Sequence, residues 1–304
     1  MLGINGRNAG YTLRWNRREF YPRVDDKLQT KALCEAAGVP IARTLAVARY
    51  QHEVRQLGAA LEPFKSFVLK PTHGAMGNGI LVITAREGDR FQRPSGRFVT
   101  LQDLLFHASS IVSGLYALGG QPDVALVEER LEVHPDMRAI AVEGVPDVRI
   151  VIYRGVPVMG MTRLPTRSSG GRANLHQGAI GAGVDLETGR IHHAVHEGRA
   201  VARHPESGGE ILGVAVPQFD VLLHAALLAT DQTELGYVGA DLVTDAARGP
   251  VVLELNARPG LAVQLANGAG LRPRLDAVDR HLEKDMPLEE RLQLGRRIAA
   301  GEIR

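Results

Sequence analysis

Between Thr100 and Gly120 apolar residues return every third or fourth position: Leu101, Leu104, Leu105, Ala108, Ile111, Val112, Leu115 and Leu118. That is the repeat of one helix face. Thr100 with Asp103 forms a capping pair before the run and Gly119-Gly120 ends it, so the pattern predicts a long helix. In DDKLQTKALCEAAG, residues 25–38, Leu28, Ala32, Leu33 and Ala36 share a face, Asp25 or Asp26 can cap it, and Gly38 can stop it. PQFDVLLHAALLATD predicts a third helix, with Pro217 suited to its first turn, and EVRQLGAAL a short fourth one. Continuous apolar runs bounded by turn residues predict strands at VPIARTLAVA, SFVLKP, GILVIT, VALVEERL, DVRIVIY, VPVMGMTRL, RIHHAVH, YVGADLV and PVVLELN. Arg154-Gly155 reads as a hairpin turn and TDAARG as another; if the loop is 245–250, Pro250, which lacks an N–H, suits it. Residues 1–24 show no period and read as an arm; residues 272–304 read as a polar, basic, helical tail. Helices and strands mix first, and an antiparallel, strand-rich part follows, which predicts an α+β fold of two lobes, not a doubly wound sheet.

Polar residues interrupt three of these runs. In VVLELN, Glu254 and Asn256 point to one face of a strand, with Val252 beside them and Val251, Leu253 and Leu255 opposite. The preceding strand carries Asp241. If Thr244 pairs with Val251, Asp241 lies across from Glu254. Two adjacent carboxylates repel unless a cation lies between them, and dense hard oxygen donors suit Mg²⁺. A lone acid in a strand is ordinarily solvated. Asp with Glu-x-Asn on neighbouring strands, followed by Arg-Pro-Gly, favours metal.

The second interruption is FVLKPTHGAMGNGI. Lys70 ends a strand, and Gly74, Gly77 and Gly79 form a turn whose amides could approach phosphate oxygens. Many hairpins carry glycines, and this one is neither G-x-x-x-x-G-K-[ST] nor G-x-G-x-x-G before a helix. The third is Glu128-Glu129 at the end of ALVEERL, where acids are ordinarily solvated.

Composition narrows the class. The chain has 304 residues, 44% hydrophobic and 23% charged, an ordinary globular balance, and its net charge of +2 is too small to point to nucleic acid. One cysteine, Cys34, excludes an internal disulfide and falls on the predicted core face of its helix. No apolar run approaches the roughly 20 residues of a membrane span. The N-terminal MLGINGRNAG has no apolar signal core, so the expectation is a cytoplasmic protein.

Taken together, DDKLQTKALCEAAGVPIA, FVLKP with its Gly loop, LVEERL, DVR, GGRANLHQGA, GADLV and LELNARPGL resemble the ATP-grasp superfamily, specifically its RimK-like glutamate ligases. They occur in the family's order over about residues 25–265. The resemblance implies a nucleotide held between two α+β lobes, and divides the chain into an arm (1–24), a small lobe (25–125), a large lobe with the magnesium site (126–271) and a tail (272–304). Lys27 and Lys70 would contact phosphates; His73, Gly74, Gly77, Asn78 and Gly79 would belong to the loop closing over them. Glu128, Glu129, Arg130 and Leu131 would line the adenine hinge. Asp147 would bind ribose, with Asp136 as competitor because residues 132–146 read as an insertion. Asp241, Glu254 and Asn256 would hold magnesium. Arg163, Arg172 and Asn174 would lie near the γ-phosphate and acyl group, joined by Arg258 where the family often has a small residue. His176 shares their loop and is a further candidate for the site.

The implied cofactors are ATP and two Mg²⁺ ions, with Mn²⁺ as a substitute. The implied activity is carboxylate–amine ligation through an acyl phosphate, adding glutamate or another amino acid. Its partners would be a small-molecule or peptide carboxylate and an amine, without nucleic acid, in a homo-oligomer or with a partner protein. A partner subunit without turnover and an ATP-grasp kinase are the alternatives. Only about 24 residues precede the matching region, so most of the family's N-terminal domain is expected to be missing. The arm would then complete the substrate side. Residues 73–79 and 165–178 are expected to order only against phosphate.

Overall fold

The structure is a computed structural model, and it describes residues 1–74 and 77–303. The chain divides into two compact units: Asp26–Leu28 with Ala42–Leu131, and Met1–Asp25 with Gln29–Ile41 and Glu132–Arg304.

The smaller unit holds β1 (Thr44–Ala48), β2 (Phe67–Pro71), β3 (Leu81–Ile83), β4 (Ala85–Glu87), β5 (Arg90–Gln92), β6 (Phe98–Thr100) and β7 (Ala125–Glu128). Four of them form an antiparallel sheet in the order β1-β7-β2-β3, and β4, β5 and β6 form a second, small one. The helix Leu101–Val112 has the expected capping box from Thr100 and Asp103 and buries Leu104, Ala108, Ile111 and Val112 against Phe67, Leu69 and Phe91. It stops at Val112, well before Gly119. The chain turns at Gly114 (φ +82°), where an added Cβ would meet the Gln121 carbonyl oxygen at 2.3 Å. Only glycine fits there, so Leu115, placed on the apolar face by periodicity alone, is exposed. The expected short helix at EVRQLGAAL is two single turns, Gln51–Val54 and Leu57–Ala60.

The larger unit holds β8 (Asp147–Tyr153), β9 (Val156–Leu164), β10 (Ile180–Val184), β11 (Ile191–His196), β12 (Arg199–Ala200), β13 (Tyr237–Asp245) and β14 (Gly249–Asn256). They make one antiparallel sheet in the order β12-β11-β10-β9-β8-β13-β14. The Arg154-Gly155 turn joins β8 and β9 as expected, both residues at positive φ. One sheet face is apolar along its length: Val148, Ile150, Ile152, Val238, Ala240 and Leu242 pack with Phe219, Leu222, Leu223, Ala226 and Leu227 of the helix Phe219–Asp231. Cys34 belongs to this core.

The opposite face changes character along the strands. At one end Val151, Tyr153, Met159, Met161 and Tyr237 form a second core with Val263, Leu275, Val278, Leu294 and Ile298. Towards the other end the same alternation presents Asp147, Arg149, Arg163 and Asp241.

The N-terminal residues are built into that second core, not attached as an arm. They form Ile4–Arg7, a π-helical turn Asn8–Thr12 and Leu13–Trp15, with Leu2 and Tyr11 buried. Asn16 Nδ2 donates to the carbonyls of Tyr237 (2.7 Å) and Ala257 (2.9 Å), and its Oδ1 accepts from the Tyr237 amide at 2.9 Å. The Gln264 carboxamide bridges to both Leu2 N and Leu2 O. The last residues form two helices, Arg272–His281 and Leu288–Ala300, whose apolar positions join the same core.

The turn into β14 also differs from the expected one. Pro250 is inside the strand and pairs with Thr244, one residue out from the predicted register. A proline is tolerated there because β14 is an edge strand. The offset is cancelled by a bulge: Leu242 faces Val252 while Asp241 faces Glu254, leaving Leu253 as the extra residue. Asp241 and Glu254 therefore meet as expected, but Val252 lies in the core with Leu255 instead of beside Glu254. Among the described residues no helix is long and apolar enough to cross a membrane.

Candidate active site

The polar end of the large sheet is a ladder of charges on four neighbouring strands. The register places Asp147 of β8 opposite Arg163 of β9, and Asp241 of β13 between Arg149 of β8 and Glu254 of β14. Arg149 grips Asp241 with two prongs, Nε to Oδ1 at 2.6 Å and Nη2 to Oδ2 at 2.5 Å. Arg163 grips Asp147 in the same way, Nε to Oδ1 at 2.6 Å and Nη2 to Oδ2, and its Nη2 also donates to Asp241 Oδ2 at 2.8 Å. Asn256 Nδ2 lies 3.4 Å from both Asp241 Oδ2 and Glu254 Oε1. Three carboxylates thus face two guanidiniums, which leaves the patch with an excess of negative charge before any cation enters.

Burial sets the protonation of the ladder. Burial pushes the Asp147 carboxyl up to about 6 although Arg163 opposes it. Burial also raises Asp241, but Arg149 and Arg163 together outweigh it and hold that carboxyl well below the usual range. Of these two aspartates, Asp147 is therefore the one that takes a proton first. Its folded value exceeds the roughly 4 of a free aspartate, so the stability tied to it is complete below about pH 4 and lost as pH rises through about 6. For Asp241 the sign is opposite: its contribution is present above about pH 4 and falls away on further acidification. We expect the stability difference between wild type and Asp147→Asn to change between about pH 4 and 6 and level off above. Urea denaturation across that range reads it, and a difference independent of pH contradicts the assignment.

Of the expected ligands, Asp241, Glu254 and Asn256 do converge. Among the described residues no group of three or more His, Cys, Asp or Glu side chains is placed to hold a metal ion. The set here is two carboxylates and a carboxamide, which suits Mg²⁺ only as it is usually bound, with water and phosphate completing the shell. A carboxylate offers about four lone-pair positions. Guanidinium N–H groups fill three on Asp241, so the carboxyl of Glu254 and the carboxamide oxygen of Asn256 are the more open donors. Asp147, expected at the ribose, has both oxygens engaged by Arg163; Asp136 is exposed beside His134. Arg149 was legible only as part of DVR, although its parity with Asp147 puts it on the ladder's face.

The other expected residues of this unit are placed apart from the ladder's bonds. Asn174 caps the turn Leu175–Gln177, its Oδ1 accepting from His176 N at 3.0 Å. Arg172 and His176 are exposed in the same segment. Arg258 is exposed, with its guanidinium 5.3 Å over the Tyr21 ring. Segment 165–178 carries its own bonds: Thr166 Oγ1 donates to Gly178 O at 2.9 Å, and the Arg167 amide donates to Glu206.

The smaller unit builds a separate set. Lys70 and Glu128 form a buried ion pair at 2.5 Å between β2 and β7. Lys27 Nζ donates to the carbonyls of Thr72 (3.1 Å) and Gly74 (3.0 Å), so it grips the start of the Gly-rich loop. Glu129 accepts from the Arg43 amide, and Leu131 is buried at the unit's last residue. Of the loop, Ala75 and Met76 lie outside the described residues. Gly79 (φ +76°) is in contact with the Tyr116 ring, 2.6 Å from where a Cβ would stand, and its carbonyl oxygen is 2.8 Å from His107 Nε2.

Asp123, which the sequence did not single out, anchors the loop's base. It accepts from Thr72 Oγ1 (2.7 Å), the Val124 amide (2.7 Å) and the His73 amide, and lies 2.8 Å from His73 Nδ1. Burial raises its carboxyl, but these hydrogen bonds prevail and hold it below the ordinary range. Asp123→Ala leaves Thr72 and two amides unmet, and we expect a loss of about 2 kcal/mol in chemical denaturation. An unchanged midpoint contradicts that role.

The model of the sugar-transfer associated ATP-grasp family matches residues 6–280. The chain belongs to that family. The ATP-grasp membership read from the motifs is thereby established, and both units have the mixed helix and antiparallel-sheet composition expected of the fold. Comparison with curated proteins returned no match. Among solved structures, the ATP-grasp ligase PsnB complexed with minimal precursor is 17% identical, with 88% of this chain and 63% of PsnB covered and a TM-score of 0.46. D-alanyl-alanine synthetase A from Vibrio cholerae is 9% identical over 93% of this chain and 66% of its own, TM-score 0.49. A RimK domain ATP-grasp protein from Sphaerobacter thermophilus is 13% identical over 86% and 69%, TM-score 0.47. This ATP-grasp chain thus spans less than two thirds of the length of the first two.

Proposed function

We propose that this chain is an ATP-dependent ligase that joins a carboxylate to an amine. The observation that carries the reading is the ladder: two guanidiniums beside Asp241, Glu254 and Asn256 on one face of the large sheet, in a chain of an ATP-grasp family. Asp241, Glu254 and Asn256 would hold Mg²⁺, which offsets phosphate charge and polarises the γ-phosphoryl group when bound. Arg163 and Arg149 supply forked donors that match phosphate and carboxylate oxygens. In the smaller unit, Lys27, Lys70 and the Gly-rich loop would bind the phosphates, and Glu128 to Leu131 the adenine. The substrate carboxylate attacks the γ-phosphorus, ADP leaves, and an acyl phosphate forms. The amine then attacks the acyl carbon, gives up a proton, and inorganic phosphate leaves. The protein positions the reactants and stabilises charge, with no covalent protein intermediate. The family's description ties it to sugar transfer, so amino acids and amine- or carboxylate-bearing sugars are the first acceptors to try.

Incubation with ATP, Mg²⁺ and such acceptors in the presence of hydroxylamine tests the reading. A trapped hydroxamate with stoichiometric ADP supports it. ADP with a stable phosphorylated acceptor makes the chain a kinase, and no acceptor-dependent ADP over a broad screen makes it a binding subunit; either result contradicts ligation.

A further inference from the structure

The charge ladder uses Asp241 twice. It is one of the three residues assigned to magnesium, yet it is buried and three guanidinium N–H groups already bond its oxygens. The fourth lone-pair position is approached by Asn256 Nδ2 at 3.4 Å. A cation cannot take a full share of this carboxylate unless one guanidinium lets go. The two arginines are not equally held. Arg163 has a second, two-pronged anchor on Asp147, whereas among the described residues both hydrogen bonds of Arg149 go to Asp241.

We infer that Arg149 is a counter-ion gate for the metal site: it occupies Asp241 until a phosphate group draws its guanidinium away and opens that carboxylate to the cation. The inference rests on the metal assignment proposed above and adds a regulation to it. The physical basis is an exchange of like for like. Phosphate accepts the same forked pair of N–H bonds as a carboxylate, so the guanidinium loses little by moving, and the carboxylate it leaves gains a divalent partner. A buried carboxylate released without a cation would be strongly penalised, so neither move is favourable alone. Metal and nucleotide therefore bind cooperatively, and each raises the other's affinity by the same factor. The gate would keep the site from loading cation before nucleotide is present, and Arg149 would arrive on the phosphate as the carboxylate takes up the metal. Arg149 is a positioning residue in this scheme before it touches the nucleotide, and its effect is visible without turnover.

The test is Mn²⁺ binding followed by the electron paramagnetic resonance of the free ion, with and without the non-hydrolysable analogue AMP-PNP. Wild type should bind Mn²⁺ alone weakly and much more tightly with AMP-PNP. Arg149→Met should bind Mn²⁺ alone about tenfold tighter than wild type, with the AMP-PNP enhancement reduced by a similar factor. Arg149→Lys keeps the charge but not the fork and should fall between the two, which preserves the test if the Met variant does not fold. If either folded variant binds Mn²⁺ alone no tighter than wild type, the gate is overturned. If wild type binds Mn²⁺ equally with and without AMP-PNP, the gate is overturned while the metal site stands. If Glu254→Gln leaves Mn²⁺ binding unchanged under both conditions, the metal assignment itself fails and the gate with it.

Discussion

Glu254→Gln lowers magnesium-dependent turnover at least a hundredfold and leaves the fold intact. The side chain is half-buried at the end of edge strand β14, across the ladder from Asp241, and contributes to neither hydrophobic core. Glutamine keeps its shape and its contact with Asn256 but removes the negative charge most open to a cation. Divalent ions supply several kcal/mol of transition-state charge stabilisation in phosphoryl transfer, and each 1.4 kcal/mol is about tenfold in rate. Initial rates against magnesium concentration, with a thermal melt on the same samples, measure the effect. Full activity at limiting magnesium would exclude Glu254 as a ligand.

Removal of residues 1–16 abolishes cooperative folding of the larger unit. This is a stronger consequence than the loss of acceptor activity expected from an arm. Leu2 and Tyr11 are part of the second core, and the Tyr11 ring meets Tyr153 edge to face at 5.4 Å. Without Asn16, the Tyr237 amide and the carbonyls of Tyr237 and Ala257 are buried and unmet at the foot of β13 and β14. Each such group costs about 1–3 kcal/mol, and a domain of this kind has only about 5–15 kcal/mol to lose. Asn16→Ala alone is expected to cost about 3 kcal/mol. Circular dichroism melts decide it: a truncated chain with the wild-type transition would return these residues to the status of an appendage.

The contrast between these two regions shows what the residue pattern carried. Asp241 and Glu254 were legible because a strand alternates with period two and an acid in an apolar strand stands out. Their expected pairing agrees with the structure although the expected register at Thr244 is one residue off, because the bulge at Leu253 cancels the offset. Such a bulge leaves no mark in the pattern except a valine that packs on the unexpected side. The N-terminal residues were illegible for the opposite reason. Single helical turns and a π turn have no sustained period, and their hold on the core runs through Asn16 and residues more than two hundred positions away. Asp123 is silent for a similar reason: beyond the neighbouring Val124 amide, its partners on Thr72 and His73 lie some fifty residues away and come within reach when β2 and β7 pair. The expected helix runs past Val112 because the apolar spacing continues beyond Gly114, whose positive φ and close approach to the Gln121 carbonyl the spacing does not register.

The claim on which the rest depends is that the charge ladder of the larger unit receives the metal of a metal–nucleotide complex. Anomalous diffraction from crystals grown with Mn²⁺ and AMP-PNP tests it directly. The expected result is a peak bonded to oxygens of Glu254 and Asn256 at about 2.1 Å, shared with phosphate oxygens and with Asp241 turned from Arg149. A nucleotide-bound Mn²⁺ peak with none of these three residues in its shell would contradict it.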